Sequence, residues 1–155
     1  MPGNISLRPA KLNEAKLISN LINDYAVKNI MLPRDAESII ERIQSFQVAL
    51  IDNELAGCCS VAFFTEDLAE IRSLVVKEKY QGTGIGRALV ERAELVLREE
   101  GIKKAFALTL TPEFFQQLCY QRVDKSNFPQ KIWRDCLNCS KIMMCDEIAL
   151  EKDLN

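Results

Sequence analysis

Histidine is absent from the 155 residues. That excludes a Ser-His-Asp triad, a Cys-His pair and any histidine-ligated metal within this chain. A general base must then be a carboxylate, Lys, Tyr, Cys or a water relay. Long hydrophobic runs are also missing: no apolar stretch approaches the roughly 20 residues that a membrane-spanning helix needs. Met1-Pro2-Gly3-Asn4 lacks the basic segment and apolar run of a secretory signal. There is no long basic run, and the formal net charge is −2. Nucleic acid is therefore disfavoured as a partner, because phosphate binding needs clustered Lys and Arg. These absences predict a soluble, cytoplasmic protein with no membrane partner. In that setting the six cysteines, Cys58, Cys59, Cys119, Cys136, Cys139 and Cys145, are expected to be reduced thiols.

What is present fits one globular domain over residues 1–155, with a core of 5–124 and a Cys-containing segment of 125–155. Apolar residues make up 48% of the chain and charged residues 27%, enough for a sizeable core under a polar surface. Ile5 to Arg8 is a strand ended by Pro9. Asn13 is placed to cap a helix through about Lys28, with Ala15, Ile18, Leu21, Ile22 and Tyr25 at helical spacing. Pro33 breaks the chain, and Asp35 caps a second helix carrying Ile39, Ile40 and Ile43. Phe46 to Ile51, Leu55 to Phe64 and Ala69 to Val76 read as an antiparallel meander, with a turn at Asp52-Asn53. Arg87 to Glu100 is the clearest helix, and Gly101 sits at its stop. Lys104 to Leu110 is a strand, Pro112 starts a short helix, and Glu147 to Glu151 is a last strand. Strands flanked by helices in this order predict a mixed α/β or α+β fold.

Between the third meander strand and the long helix lies Gln81-Gly82-Thr83-Gly84-Ile85-Gly86. Its glycines permit positive φ and close backbone approach. Free N–H groups and the dipole at a helix N-terminus favour an anion, and Arg87 adds positive charge. Phosphate or pyrophosphate is the natural ligand. The dinucleotide pattern G-x-G-x-x-G fails, because no glycine stands at 87 or 89. The Walker pattern fails because no Gly-Lys-Ser/Thr follows.

The run Glu70-Ile71-Arg72-Ser73-Leu74-Val75-Val76, then Tyr80-Gln81-Gly82-Thr83-Gly84-Ile85-Gly86-Arg87-Ala88-Leu89, resembles the GNAT family of N-acetyltransferases. Gln81, Gly84 and Gly86 match that family's Gln/Arg-x-x-Gly-x-Gly/Ala motif. The resemblance implies a GNAT fold: a mostly antiparallel sheet of about six or seven strands splayed at the central strand, flanked by about four helices. It implies acetyl-CoA as cosubstrate and no resident metal. Leu74, Val75 and Val76 would pair with the pantetheine arm. Gln81, Gly82, Thr83, Gly84, Ile85, Gly86 and Arg87 would hold the pyrophosphate. The reaction would be direct attack of an amine on the thioester, with a central-strand N–H stabilising the oxyanion. Glu70 is the candidate general base, through a water.

The segments Leu32-Pro33-Arg34, Ala105 to Thr109, Pro112 to Phe115 and Phe128 to Cys139, with Cys145-Asp146-Glu147, resemble the short, stand-alone N-acetylglutamate synthases. That resemblance implies L-glutamate as the small-molecule acceptor and a place at the start of arginine biosynthesis. Two carboxylates need Arg or Lys partners, and Arg34, Arg72, Lys131 and Arg134 are the candidates. Strand alternation puts Arg72 on one face with Glu70, Leu74 and Val76, provided no bulge intervenes. Other acceptors stay open: a polyamine, another amino acid or a protein N-terminus. So does a non-catalytic acetyl-CoA sensor, because Phe115 stands where many GNAT enzymes have an acidic Tyr, and Cys119 stands at the following Gly. Thr109, Thr111, Cys119 or Tyr120 could supply a hydrogen bond instead. Cys119 as nucleophile has no His to activate it. Cys58 and Cys59 read as core. Cys136, Cys139 and Cys145, spaced C-x2-C-x5-C, offer three sulfurs to zinc, one short of the usual set. Homo-oligomerisation through the sheet edge or the tail is open.

Overall fold

The structure is a computed structural model, and it describes residues 4–26, 34–128 and 147–154. Seven strands run in the order β1-β2-β3-β4-β5-β7-β6. They are β1 (Ile5–Pro9), β2 (Phe46–Ile51), β3 (Glu54–Phe63), β4 (Leu68–Val76), β5 (Lys104–Thr109), β6 (Gln121–Val123) and β7 (Ile148–Asp153). Among the described residues four α-helices accompany them: α1 (Ala15–Ala26), α2 (Ala36–Glu41), α3 (Ile85–Glu99) and α4 (Pro112–Gln116). The β1–β2, β2–β3, β5–β7 and β6–β7 pairs are antiparallel, whereas β4 and β5 run parallel. This is the mixed fold that the order of elements predicts, with the mostly antiparallel sheet that the family resemblance implies.

Local chemistry explains the boundaries. Asp35 accepts a hydrogen bond from the Ser38 N–H at 2.8 Å and caps α2 as expected. Asn13 does not cap α1. A 3-10 turn, Leu12–Glu14, precedes that helix, and the Glu14 carboxylate accepts from the Lys11 N–H at 2.7 Å. Arg8 holds the same carboxylate through two bonds of 2.9 and 2.7 Å, so a bidentate ion pair overrides the short Asn cap. Asp52 and Asn53 both take positive φ, 49° and 69°, as the tight β2–β3 hairpin requires.

Backbone contacts divide the chain into two compact units, Met1–Ala62 with Ile71–Val96, and Phe63–Glu70 with Leu97–Asn155. In the first, Ala15, Ile18, Leu21 and Ile22 of α1 bury one face with Ile39 against Phe46, Val48, Leu50, Leu55, Cys58 and Val75. The three- and four-residue spacing of those α1 positions puts them on one stripe, and each buried aliphatic is worth about 1.5–3 kcal/mol. In the second, Phe106, Phe128 and Ala149 form the core, with the two rings stacked at 4.1 Å.

Candidate functional site

The Gly-rich loop lies as anticipated between β4 and α3. The first helical hydrogen bond runs from the Ala88 N–H to the Gly84 C=O at 3.0 Å. Gly84 is therefore the N-cap, and the amides of Ile85, Gly86 and Arg87 lie ahead of the helical ladder. Gly82 and Gly84 have φ of +78° and +89°, which ordinary side chains rarely adopt. A Cβ at either would meet nothing within 4 Å, so the loop needs glycine for backbone shape and leaves the space beside it open. Ile85 is buried and anchors the helix start, while residues 81–84 are exposed. Arg87 is exposed and leans toward Glu91 at 3.6 Å, a weak surface pair that an arriving anion can replace.

Gln81 acts inward. Its Nε2 donates to the Val76 C=O at 3.0 Å, and the Tyr25 hydroxyl donates to the same oxygen at 2.8 Å. Thr83 Oγ1 donates to the Tyr80 C=O. These bonds tie the end of β4, α1 and the loop together. Sequence reasoning missed Tyr25 as a loop anchor. It also missed Glu54, which pairs at 3.2 Å with both Lys77 and Lys79 ahead of the loop.

β4 is where expectation and structure part. Ser73 has φ +55°, a left-handed residue inside a strand. Arg72 and Ser73 both turn their carbonyls toward β3: Ser60 Oγ donates to the Arg72 C=O at 3.3 Å, and Cys58 Sγ to the Ser73 C=O at 3.4 Å. Two successive carbonyls on one side mark a bulge, which breaks the two-residue alternation. The shared face assigned to Glu70, Arg72, Leu74 and Val76 therefore does not hold: the alternation is interrupted between Arg72 and Leu74. A signal was available in Gly57, since glycine inside a strand often marks close backbone approach. A Cβ at Gly57 would come within 2.7 Å of the Val75 C=O and 3.1 Å of Leu89 Cδ1.

Glu70 is 3% exposed and pairs in register with Phe106, the last residue pair between β4 and β5. Arg72 is half-buried. Arg34 is fastened to α1, its N–H donating to Asn23 Oδ1 at 2.9 Å and its C=O accepting from Ser19 Oγ at 2.7 Å. Its guanidinium lies 5.7 Å from the Phe46 ring centroid. Burial pushes the Cys58 thiol up to about 12, against smaller opposing effects of the Val75 amide and Arg34. Burial also raises Cys59, helped by Cys58 and Glu94. Both are core thiols, as their strand position predicts, and neither is a thiolate at neutral pH.

Phe115 is buried, with Phe114 and Tyr120 each edge-on at 5.2 Å. It has no proton to give. Thr109 and Thr111 bond to each other at 3.1 Å through their hydroxyls. Cys119 is exposed with φ +74°, in the left-handed conformation that favours glycine. Lys131, Arg134, Cys136, Cys139 and Cys145 lie outside the described residues. Among the described residues no group of three metal-binding side chains is gathered, and no helix is long and apolar enough to cross a membrane.

Comparison with known proteins places this geometry. The profile of the Acetyltransferase (GNAT) family matches residues 17–123, more than half of the chain. An uncharacterised N-acetyltransferase of Chlorobaculum tepidum is 52% identical over 148 residues, covering 96% of each chain. An amino-acid acetyltransferase of Mycobacterium tuberculosis is 31% identical over 121 residues, 76% of this chain and 69% of that one. Among solved structures, N-acetylglutamate synthase from Neisseria gonorrhoeae, complexed with coenzyme A and N-acetyl-glutamate, superposes with a TM-score of 0.85 at 25% identity. That match covers all of this chain, which spans 36% of the larger protein.

Proposed function

The chain belongs to the GNAT family of acetyltransferases, and we propose that the amine it acetylates is the α-amino group of L-glutamate. It is an acetyl-CoA-dependent N-acetyltransferase. The observation that carries the glutamate reading is its likeness to an amino-acid acetyltransferase across three quarters of its length. The product would be N-acetylglutamate, at the entry to arginine biosynthesis.

On this reading each step has a candidate residue. The amides ahead of α3 and the open glycine loop suit the pyrophosphate of acetyl-CoA, and Leu74, Val75 and Val76 suit its pantetheine arm. Arg34 and Arg72 supply cations for the two carboxylates of glutamate, with Lys131 and Arg134 as further candidates. Arg34 suits this role in that its backbone is fixed at both N–H and C=O, which leaves only its side chain to order on binding. The amine nitrogen attacks the thioester carbon, and its proton passes to Glu70 through a water. The C–S bond then breaks and sulfur leaves as thiolate. A thiol pKa of about 8.5 lets that group depart unprotonated, which suits a site with Phe115 in place of an acid.

A thiol-release assay across glutamate, aspartate, glutamine and polyamines tests the acceptor. Glutamate should exceed glutamine by at least about tenfold in kcat/KM, the worth of one lost charge-assisted bond. A preference for a polyamine would overturn the reading. Glu70→Gln should lower kcat by about 10²-fold or more with little change in acetyl-CoA affinity.

A further inference from the structure

We propose that Cys58 and Ser60 are positioning residues that hold two neighbouring β4 amides, those of Ser73 and Leu74, aimed together at the thioester carbonyl. A trans peptide is planar, with its C=O and N–H pointing in opposite directions, and no peptide bond among the described residues is cis. The Arg72 C=O is held toward β3 by Ser60, so the Ser73 N–H points away from β3. The Ser73 C=O is held toward β3 by Cys58, so the Leu74 N–H points the same way. In a regular strand successive amides point in opposite directions. Here two in succession share a direction, on the edge of β4 where pairing with β5 has ended at Glu70.

Three residues of β3 make the mould for this shape. Gly57 admits the Val75 backbone, since any Cβ would strike its oxygen. Cys58 and Ser60, two residues apart, supply the thiol and the hydroxyl that hold the Ser73 and Arg72 carbonyls. The left-handed Ser73 is disfavoured without such support. Burial keeps the Cys58 proton in place over the whole neutral range, so the thiol remains a donor. Two aligned amides form an oxyanion hole, and the developing negative charge of the tetrahedral intermediate is what they meet.

The test uses acetyl-CoA labelled with carbon-13 at the carbonyl, bound to the full-length protein and followed by infrared difference spectroscopy. It needs no acceptor, so its result is independent of the glutamate reading. The carbonyl band should lie at lower wavenumber than in free acetyl-CoA. C58V and S60A should each reduce that displacement and the pair should remove most of it, while CoA itself binds within about twofold of wild type. C58S, which keeps a donor, should restore it. With a working acceptor, kcat should fall about 10-fold or more in the double variant. A wild-type band at the free position overturns the proposal. So does a displacement kept in C58V with S60A, or a loss of CoA affinity in proportion to the loss of displacement.

Discussion

Cys119 shows how one residue can sit in the wrong conformation for its type. It closes α4 in the left-handed region, and the following Tyr120 N–H bonds back to the Phe115 C=O at 3.1 Å. That bond pattern belongs to a helix stop that favours glycine. Cys119→Gly should therefore raise stability by about 0.5–1 kcal/mol in urea unfolding, after the entropy cost of glycine is subtracted. The thiols differ in a second way. Cys119 is exposed, whereas Cys58 and Cys59 are buried with raised pKa. Iodoacetamide at pH 8 followed by peptide mapping should label Cys119 and spare the other two. The same shift predicts alkaline behaviour. Unfolded thiols ionise near their ordinary 9.0, while the native Cys58 keeps its proton to about 12. The unfolded state thus binds fewer protons in that window, and stability should fall as pH rises from 9 toward 12. The slope per buried thiol is about 1.4 kcal/mol per pH unit, and urea midpoints across that range would measure it.

At the scale of elements, the strands and helices were legible because their signals are local. β2 matches its expected span, and Gly101, with φ +81°, stops α3 as anticipated. The bulge was not legible in β4 itself, because Ser73 carries no local mark of positive φ; its one cue, Gly57, and its supports, Cys58 and Ser60, stand on another strand. Likewise the displaced start of α1 depends on Arg8, six residues before Glu14 and in a different element. The loop stands between these cases: its glycines announced a helix N-terminus, yet the inward role of Gln81 needed Tyr25 and Val76 in place. Gly84→Ala separates shape from space. A methyl at 84 meets no atom within 4 Å, so packing should be untouched. The backbone must still hold φ +89° at the N-cap of α3. That strain, roughly 1–2 kcal/mol, should appear as an acetyl-CoA dissociation constant raised about tenfold. Saturating kcat should stay near wild type, because the change lies at the proposed pyrophosphate end. Isothermal titration and steady-state kinetics would check both halves.

For the whole molecule, the overall charge offers no help in binding an anionic cosubstrate. The net charge is −2, so long-range steering of acetyl-CoA is unfavourable or absent. Arg87, the cation nearest the loop amides in sequence, is exposed and already leans toward Glu91. On the proposed reading the attraction comes from contact groups: the amides ahead of α3, the helix dipole and the β4 edge. Contact hydrogen bonds act well inside the Debye length, which is about 10 Å at 0.1 M salt, and are little screened. Ligand that binds only the native state adds about 2.7 kcal/mol of stability at one hundred times its dissociation constant. For a chain of this size that corresponds to a rise of roughly 5–10 °C in melting temperature. The rise on adding CoA should therefore persist when ionic strength goes from 0.05 to 0.5 M, losing less than about half its value. A rise that collapses in salt would mean that scattered surface cations, rather than the ordered end of α3, hold the cosubstrate.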